Sequence, residues 1–433
     1  PVLAEEYPIS CWTFMTAERQ RPVETVVKEW KDLGLTHPMS PILGVRSEEH
    51  ARIHRMLELC EREGLKLIVH DERAHYNCAQ NVLKDDASYR RNVIAARDEW
   101  ASYPAFAGFH LLDEPSGQQI DTVCAAAKIV QELVPDKMCF LNLLPWYPWI
   151  GPRMGTKEYA PYLDRVAKDS GLKLLCYDCY DHMSEDIGDG EGLHLYLNNL
   201  REWMEWTVRN PGCRFWVTEL CINHASRVVT SQADFRWQIS TAAAMGAKGI
   251  IWYYPDYCPR PSESLDNCQN SPINIFGERT ELFDWLSVEN RKFRHQYGSE
   301  FMRLQIDGAA LYGISSGNVP AFAPDEDVLH LDSGKRPTLV SRFHDASGVR
   351  YAAFVNLSRK LNSLVKVGFA KGVRPMQRSW YQTYEPRTVV ADPVLAQKVG
   401  DNFAGRVTMF LAPGQLTLFR LSPQDDNASG GVK

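Results

Sequence analysis

Two acids stand out by where they fall in the chain. The run Phe106-Ala-Gly-Phe-His-Leu-Leu-Asp-Glu-Pro115 carries a largely apolar segment straight into adjacent carboxylates, Asp113 and Glu114, and then a proline. A buried strand has no structural use for paired acids at its end, because burying an unpaired charge costs several kcal/mol. Proline, with no N–H to donate, ends the ladder there. The pattern returns 105 residues later in Phe215-Trp-Val-Thr-Glu219. One carboxyl group that gives a proton and a second that attacks, or activates water, are what cleavage of a glycosidic bond needs.

For Glu114 and Glu219 to work together, two strand ends must meet at one mouth. Strands are predicted at residues 7–14, 36–42, 65–70, 106–114, 138–144, 173–177, 214–220 and 249–254. Helices are predicted at 23–33, 47–63, 87–103, 118–134, 156–169, 193–209, 232–245 and 280–297. Pro22 opens the first helix, Ser47 caps the second and Gly64 ends it. Short apolar strands alternating with amphipathic helices indicate parallel pairing. Eight such units indicate an α/β fold, a (β/α)8 TIM barrel.

After about residue 300 strand chemistry takes over. Residues 339–344 and 349–356 flank Asp345-Ala-Ser-Gly348, and 407–411 and 416–421 flank Ala412-Pro-Gly-Gln415, so two hairpins are expected. With further strands at 364–369 and 378–382 the segment reads as a smaller all-β sandwich. The expected division is a catalytic barrel over 1–300, a β-sandwich over 301–424 and a disordered tail over 425–433, which has too few apolar residues to fold.

Catalytic groups of such barrels cluster at the C-terminal ends of the strands. Those ends carry Trp12, His70, Asp71, Arg73, Asp113, Glu114, Asn142, Tyr177, Asp178, Tyr180, His182, Glu219, Asn223, His224, Trp252, Tyr253 and Asp256. Strands four and seven lie on opposite sides of the ring, so Glu114 and Glu219 are expected to face each other. A separation near ~5 Å would mean a covalent intermediate, and ~6.5–9.5 Å direct attack by water. Asp71 and Arg73 either bind substrate or pair with each other. Trp146 and Trp149 follow strand five and are expected to form a sugar-stacking subsite, with a loop plug as the alternative.

An Asp-Glu-Pro run ending strand four, with a glutamate ending strand seven, resembles clan A of the glycoside hydrolases, the retaining 4/7 superfamily. The resemblance spans residues 7–297, and the terminal segment is similar to the sandwiches that often follow these barrels. It implies that Glu114 is the acid/base and Glu219 the nucleophile. It further implies that Tyr177 or Tyr180 hydrogen-bonds the nucleophile and that Trp252 lies under the −1 sugar. Asp113 departs from the pattern, since most families carry asparagine there. An ionised aspartate only accepts hydrogen bonds, and its charge would raise the pKa of Glu114.

A net charge of −6 and a pI near 6.1 argue against nucleic acid as the partner. No apolar run approaches the ~20 residues of a membrane helix. The 12 Trp and 18 Tyr suit stacking on sugars, so the expected partner is a neutral oligosaccharide or polysaccharide, β-glucan-like rather than a uronate polymer. His70, His110, His182 and His224 raise the question of a metal, but strand one offers no His-x-His pair; no metal and no cofactor is expected. The phosphate loop, the dinucleotide fingerprint and the Gly-x-Ser-x-Gly elbow are all missing from the sequence. Two alternatives to a glycosidase stand: a silent carbohydrate-binding barrel whose glutamates only accept hydrogen bonds, and a metal-dependent barrel hydrolase. Cys139, Cys176, Cys213 and Cys221 sit in apolar runs and are expected as buried thiols. Cys258 and Cys268 bracket a polar loop and could bridge in an exported protein. The chain opens at Pro1 without a charged-then-apolar leader, which fits a mature form; a secreted or periplasmic location is expected, with the cytoplasm as the alternative.

Overall fold

The computed structural model describes residues 6–13, 21–44, 47–184, 189–256 and 268–423. Eight parallel strands close into a barrel: β1 (Ile9–Cys11), β2 (His37–Leu43), β3 (Leu67–Asp71), β4 (Phe106–Asp113), β5 (Met138–Leu143), β6 (Leu174–Asp178), β7 (Arg214–Leu220) and β8 (Ile250–Tyr253). The principal helices of the outer ring are α1 (Val23–Asp32), α2 (Ser47–Glu63), α3 (Ala87–Trp100), α4 (Ile120–Leu133), α5 (Tyr159–Ser170), α6 (Asp189–Arg209), α7 (Gln232–Ala244) and α8 (Glu281–Phe293). Local chemistry sets several ends. Ser231 and Asp234 form a reciprocal capping box at the start of α7, and Gly171 ends α5 in the left-handed region.

Each barrel strand is apolar on both faces because each lies between the barrel interior and the helix ring. Met39, Ile68, Ala107, Phe140, Cys176, Trp216 and Ile251 fill the interior beneath Trp12. Their neighbours along the strands point outward into a continuous core with the helices. Gly108 in β4 has φ 145°, and a Cβ there would lie 2.0 Å from the Met138 carbonyl oxygen. Only glycine allows β4 to come this close to β5.

Strands predominate from Gln305 onward, with one short described helix, Pro393–Val399. β9 (Gln305–Tyr312), β10 (Val328–Asp332), β11 (Thr338–His344), β12 (Arg350–Asn356), β13 (Ser363–Ala370), β14 (Val373–Arg378), β15 (Tyr384–Pro386), β16 (Phe403–Leu411) and β17 (Leu416–Pro423) make two antiparallel sheets. One runs β9-β11-β12-β17-β14-β15 and the other β10-β13-β16. Val340, Phe354 and Phe419 of the first meet Val328, Val367 and Val407 of the second in a shared core, so the segment is a sandwich.

The hairpin over Asp345–Gly348 forms, pairing β11 with β12. The second expected hairpin does not. β16 pairs with β13, whereas β17 pairs with β12 and β14. The turn between them is held elsewhere: Arg236 of α7 donates to Pro413 O at 3.1 Å, and a Cβ on Gly414 (φ 67°) would meet Trp237 N at 2.6 Å. Anchored on the barrel, the turn carries the chain from one sheet to the other. Trp237 Nε1 donates to Leu357 O at 2.8 Å and Tyr297 Oη to Leu416 O at 3.0 Å, joining the barrel to the sandwich.

Cys139, Cys176 and Cys221 are buried free thiols and Cys213 is half-buried. The expected Cys258–Cys268 bridge and the 425–433 tail lie outside the described residues. No described helix is long and apolar enough to cross a membrane.

Candidate active site

At the C-terminal mouth of the barrel a cleft of about 160 Å³ is lined by Trp12, Asp113, Glu114, Asn142, Asp178, Tyr180, Thr218, His224 and Tyr253. A wider hollow of about 330 Å³, lined in part by Asn223, Thr230, Glu281 and Trp285, has a single carboxylate and no convergent set. The chemistry is in the smaller cleft.

Three carboxylates meet there. Asn142, the register partner of Asp113 on β5, donates from Nδ2 to Asp113 Oδ1 at 2.9 Å and to Asp178 Oδ1 at 3.0 Å. Asp113 therefore acts as the acceptor its chemistry dictates. Glu114 sits just past β4 with φ 44°, a left-handed conformation uncommon for a side chain of this size. Its N–H is held by Asn142 O at 3.0 Å. Strain of this kind costs on the order of 1–3 kcal/mol and concentrates at functional sites. Arg153 Nη2, from the short helix Gly151–Met154, reaches Glu114 Oε2 at 3.2 Å, and the Glu114 side chain is 32% exposed.

Burial raises the pKa of Glu114, and the Arg153 charge opposes that rise. Burial raises Asp178 well above the usual carboxylate range, with the charges of Glu114 and Asp113 adding to it and the Asn142 hydrogen bond opposing it. Crowding of this kind disfavours full ionisation of the three carboxylates, and Asp178 is the one most biased toward its protonated form.

The other expected site residues divide by strand face. Side chains alternate between the two faces of a strand, so a shift of one residue moves a group from cleft to outer layer. Glu219 is such a case. It is 0% exposed, and its Oε1 accepts a 2.5 Å bond from Tyr196 Oη on α6. Its Oε2 lies 3.4 Å from His182 Nε2. The cleft position on β7 belongs to Thr218, and the expected Glu114–Glu219 pairing across the mouth is not formed. Trp252, in register with Glu219, also points outward: Nε1 donates to Asn290 Oδ1 of α8 at 2.9 Å. Tyr253 takes the cleft position expected for Trp252.

Tyr177 faces outward from β6 and stacks on Trp203 at 4.8 Å, while Tyr180 lines the cleft against Tyr253 at 5.4 Å. Asp71 is buried outside the barrel, accepting from Trp100 Nε1 at 2.8 Å and from Arg73 Nη2 at 2.7 Å. Arg73 also bonds Glu99 at 2.6 Å. Of the two readings for Asp71 and Arg73, pairing with each other is the one formed. Trp146 packs on Tyr159 at 5.7 Å and exchanges backbone bonds with Asn199, so it plugs the loop. Trp149 is 64% exposed and lies flat on Tyr147, ring centroids 5.1 Å apart at 4°.

The sequence reading places Asp178, His224 and Tyr253 at strand ends without assigning them a part in catalysis or sugar binding, and does not single out Thr218. The signal was the period of two: Cys176 with Asp178, Trp216 with Thr218, and Ile251 with Tyr253 form the inward faces. The structure also gathers buried His70, His75 and His110, a grouping the sequence reading did not foresee.

No family model and no curated protein sequence matches the chain. Solved structures similar to it include the β-galactosidase of Bacillus circulans sp. alkalophilus, at TM-score 0.58 and 9% identity over 96% of this chain and 99% of that one. A glycoside hydrolase family 5 protein from Bacteroides vulgatus is similar at TM-score 0.54 and 10% identity, over 96% of this chain and 89% of its own. A GH27 β-L-arabinopyranosidase from Geobacillus stearothermophilus is similar at TM-score 0.50 and 11% identity, over 99% and 98% of the two chains. At these identities the likeness is one of fold, a barrel with the segment that follows it.

Proposed function

We propose that this chain is a retaining glycoside hydrolase acting on β-linked, neutral oligosaccharides or polysaccharides, β-glucan-like in kind. Glu114 is its acid/base, and Asp178, in place of Glu219, its nucleophile. The observation that carries the reading is the convergence of Asp113, Glu114 and Asp178, from two strands, in one cleft walled by Trp12, Tyr180 and Tyr253, with the Asn142 amide joining the two aspartates. Aromatic walls suit the apolar faces of a sugar ring. Three carboxylates against one arginine disfavour an anionic sugar.

The roles follow from position. Glu114 is the member of the pair on the open side, where a departing oxygen can take its proton. Burial and the charges of Glu114 and Asp113 raise the pKa of Asp178, and the Asn142 N–H it accepts opposes that rise. The Asp178 carboxylate attacks the anomeric carbon as the Glu114 proton passes to the leaving oxygen, giving a covalent glycosyl-enzyme. Glu114, now ionised, takes a proton from water; that water attacks the same carbon and releases Asp178. The Trp149–Tyr147 platform, on the loop that also carries Arg153, suits stacking of further sugar units.

The test is a panel of aryl β-glycosides and β-linked oligosaccharides, with Asp178→Asn and Glu114→Gln beside the wild type. Both variants should fold and lose about 10²–10⁴-fold or more in kcat/KM. Binding without turnover by the wild type across the panel would favour the silent carbohydrate-binding barrel.

A further inference from the structure

Asp71 and Arg73 hold the loop after β3 in a fixed course, and its result is a cluster of histidines. Ala74 N–H and His75 N–H both donate to Asp71 O, at 3.0 and 3.1 Å, while the Asp71 carboxylate is pinned by Trp100 and Arg73. The turn brings His75 back beside His70, near the end of β3, and His110 of the adjoining strand β4. The potential ligand nitrogens of the three lie within 4.8 Å of one another, and all three residues are buried. We propose that His70, His75 and His110 form a binding site for one divalent transition-metal ion of the zinc class.

A second observation points the same way. His110 is 1% exposed, yet neither of its ring nitrogens has a hydrogen-bond partner among the described residues. Leaving a buried polar atom unmet costs about 1–3 kcal/mol. Trp12 lies edge-on to His110 at 5.3 Å and Phe140 stacks on it at 5.4 Å; those two rings offer the imidazole no acceptor. A metal bound to one of its nitrogens satisfies that atom. Three imidazoles suit zinc, copper or nickel better than calcium or magnesium, and three protein ligands leave a fourth position for water.

The rings are not yet aimed at one point. Their centroids stand 4.2 Å (His70–His110), 5.1 Å (His70–His75) and 5.8 Å (His75–His110) apart, with tilts of 35°, 26° and 13°. Tetrahedral zinc with bonds near 2.0–2.1 Å spaces its nitrogens about 3.3 Å apart, so binding turns the rings and draws the nitrogens together by up to about 1.5 Å. His75 Nδ1 accepts the Asn77 N–H at 3.2 Å; ligation through Nε2 moves the ring proton to Nδ1 and releases that one long bond. Through Trp12 the site adjoins the carboxylate cleft without sharing its acids, so its occupancy can be measured independently of hydrolysis.

The experiment strips the full chain with chelator and titrates it with Zn²⁺ by calorimetry and with Co²⁺ by visible absorption. The wild type should take up a single tight equivalent. His75→Gln and His110→Phe should each weaken it by more than about tenfold, while Cys78→Ser, at an exposed thiol close by in sequence, should bind as the wild type does. Should His110→Phe fail to fold, His70→Gln takes its place. No saturable binding by the wild type, wild-type affinity in either histidine variant, or loss of binding in Cys78→Ser would each overturn the assignment.

Discussion

Replacing Glu219 separates the reading from geometry most cleanly from the reading by resemblance. Glu219→Ala leaves the fully buried Tyr196 hydroxyl without its acceptor, at a cost of about 1–3 kcal/mol. The cavity left by the lost side-chain atoms adds about 1–2 kcal/mol, for a total near 2–5 kcal/mol and a fall of several degrees in Tm. The activity of the molecules that remain folded should stay within about threefold of wild type, under about 1 kcal/mol of transition-state stabilisation. Glu219→Gln adds a test of sign. Burial raises the folded pKa of Glu219 above an unfolded value near 4.3, so its contribution to stability is fully present below that value and is lost as pH rises toward the folded pKa. Glutamine does not titrate and still offers Tyr196 an acceptor, so at pH 7 the variant should be no less stable than wild type. Denaturant unfolding and kcat/KM on an activated aryl glycoside, corrected for folded fraction, measure both. A folded Glu219→Ala protein with unchanged Tm and a thousandfold loss of kcat/KM would refute the placement of Glu219 outside the cleft.

Burial lowers the His37 pKa from 6.5 to about 4, so the unfolded chain takes up a proton there before the folded one does. Stability should fall as pH drops from 6.5 toward 4, by about 2 kcal/mol at pH 5 from this residue; denaturant midpoints for His37→Gln should show a flatter slope, and a slope equal to wild type would assign the acid sensitivity elsewhere. Arg153 favours the ionised form of Glu114, so Arg153→Ala should let Glu114 keep its proton to higher pH and move the alkaline limb of the kcat/KM profile upward; an unmoved limb would contradict Glu114 as the acid. Trp149→Ala should raise KM for long oligosaccharides and leave a small aryl glycoside nearly unchanged, whereas Trp146→Ala, which empties the plug against Tyr159, should lower Tm for the whole protein. Equal kinetic effects of the two replacements would contradict this division.

The barrel was legible because its alternation of short apolar runs with amphipathic stretches is a property of the sequence itself. The acids of β4 were legible for a related reason: Asp113, Glu114 and Pro115 break an apolar run with groups that a buried strand cannot use. What the sequence hid was the facing of the remaining strands. A strand enclosed on both sides is apolar on both sides, so nothing in Phe215-Trp-Val-Thr-Glu219 says whether Thr218 or Glu219 turns inward. Glu219 and Asp71 looked like cleft acids because a buried carboxylate needs partners, and those partners, Tyr196 and Trp100, lie far along the chain on helices. The same one-residue ambiguity exchanges Tyr253 for Trp252. The β16–β17 connection misled for a different reason, since Pro413 and Gly414 mark a turn but not which sheet each flanking strand joins. His70 and His110 lie 40 residues apart with no motif between them, and the contact between β3 and β4 alone brings them together.

The central claim is that Asp178 is the residue that attacks the sugar. Incubation with a 2-deoxy-2-fluoro aryl β-glycoside slows breakdown of a glycosyl-enzyme enough for it to accumulate, and digestion after Lys and Arg followed by mass spectrometry locates the adduct. The account predicts one sugar per chain on the peptide spanning residues 174–201, with fragmentation assigning it to Asp178. A sugar on the peptide 215–227, at Glu219, would contradict it and restore the strand-four, strand-seven pair.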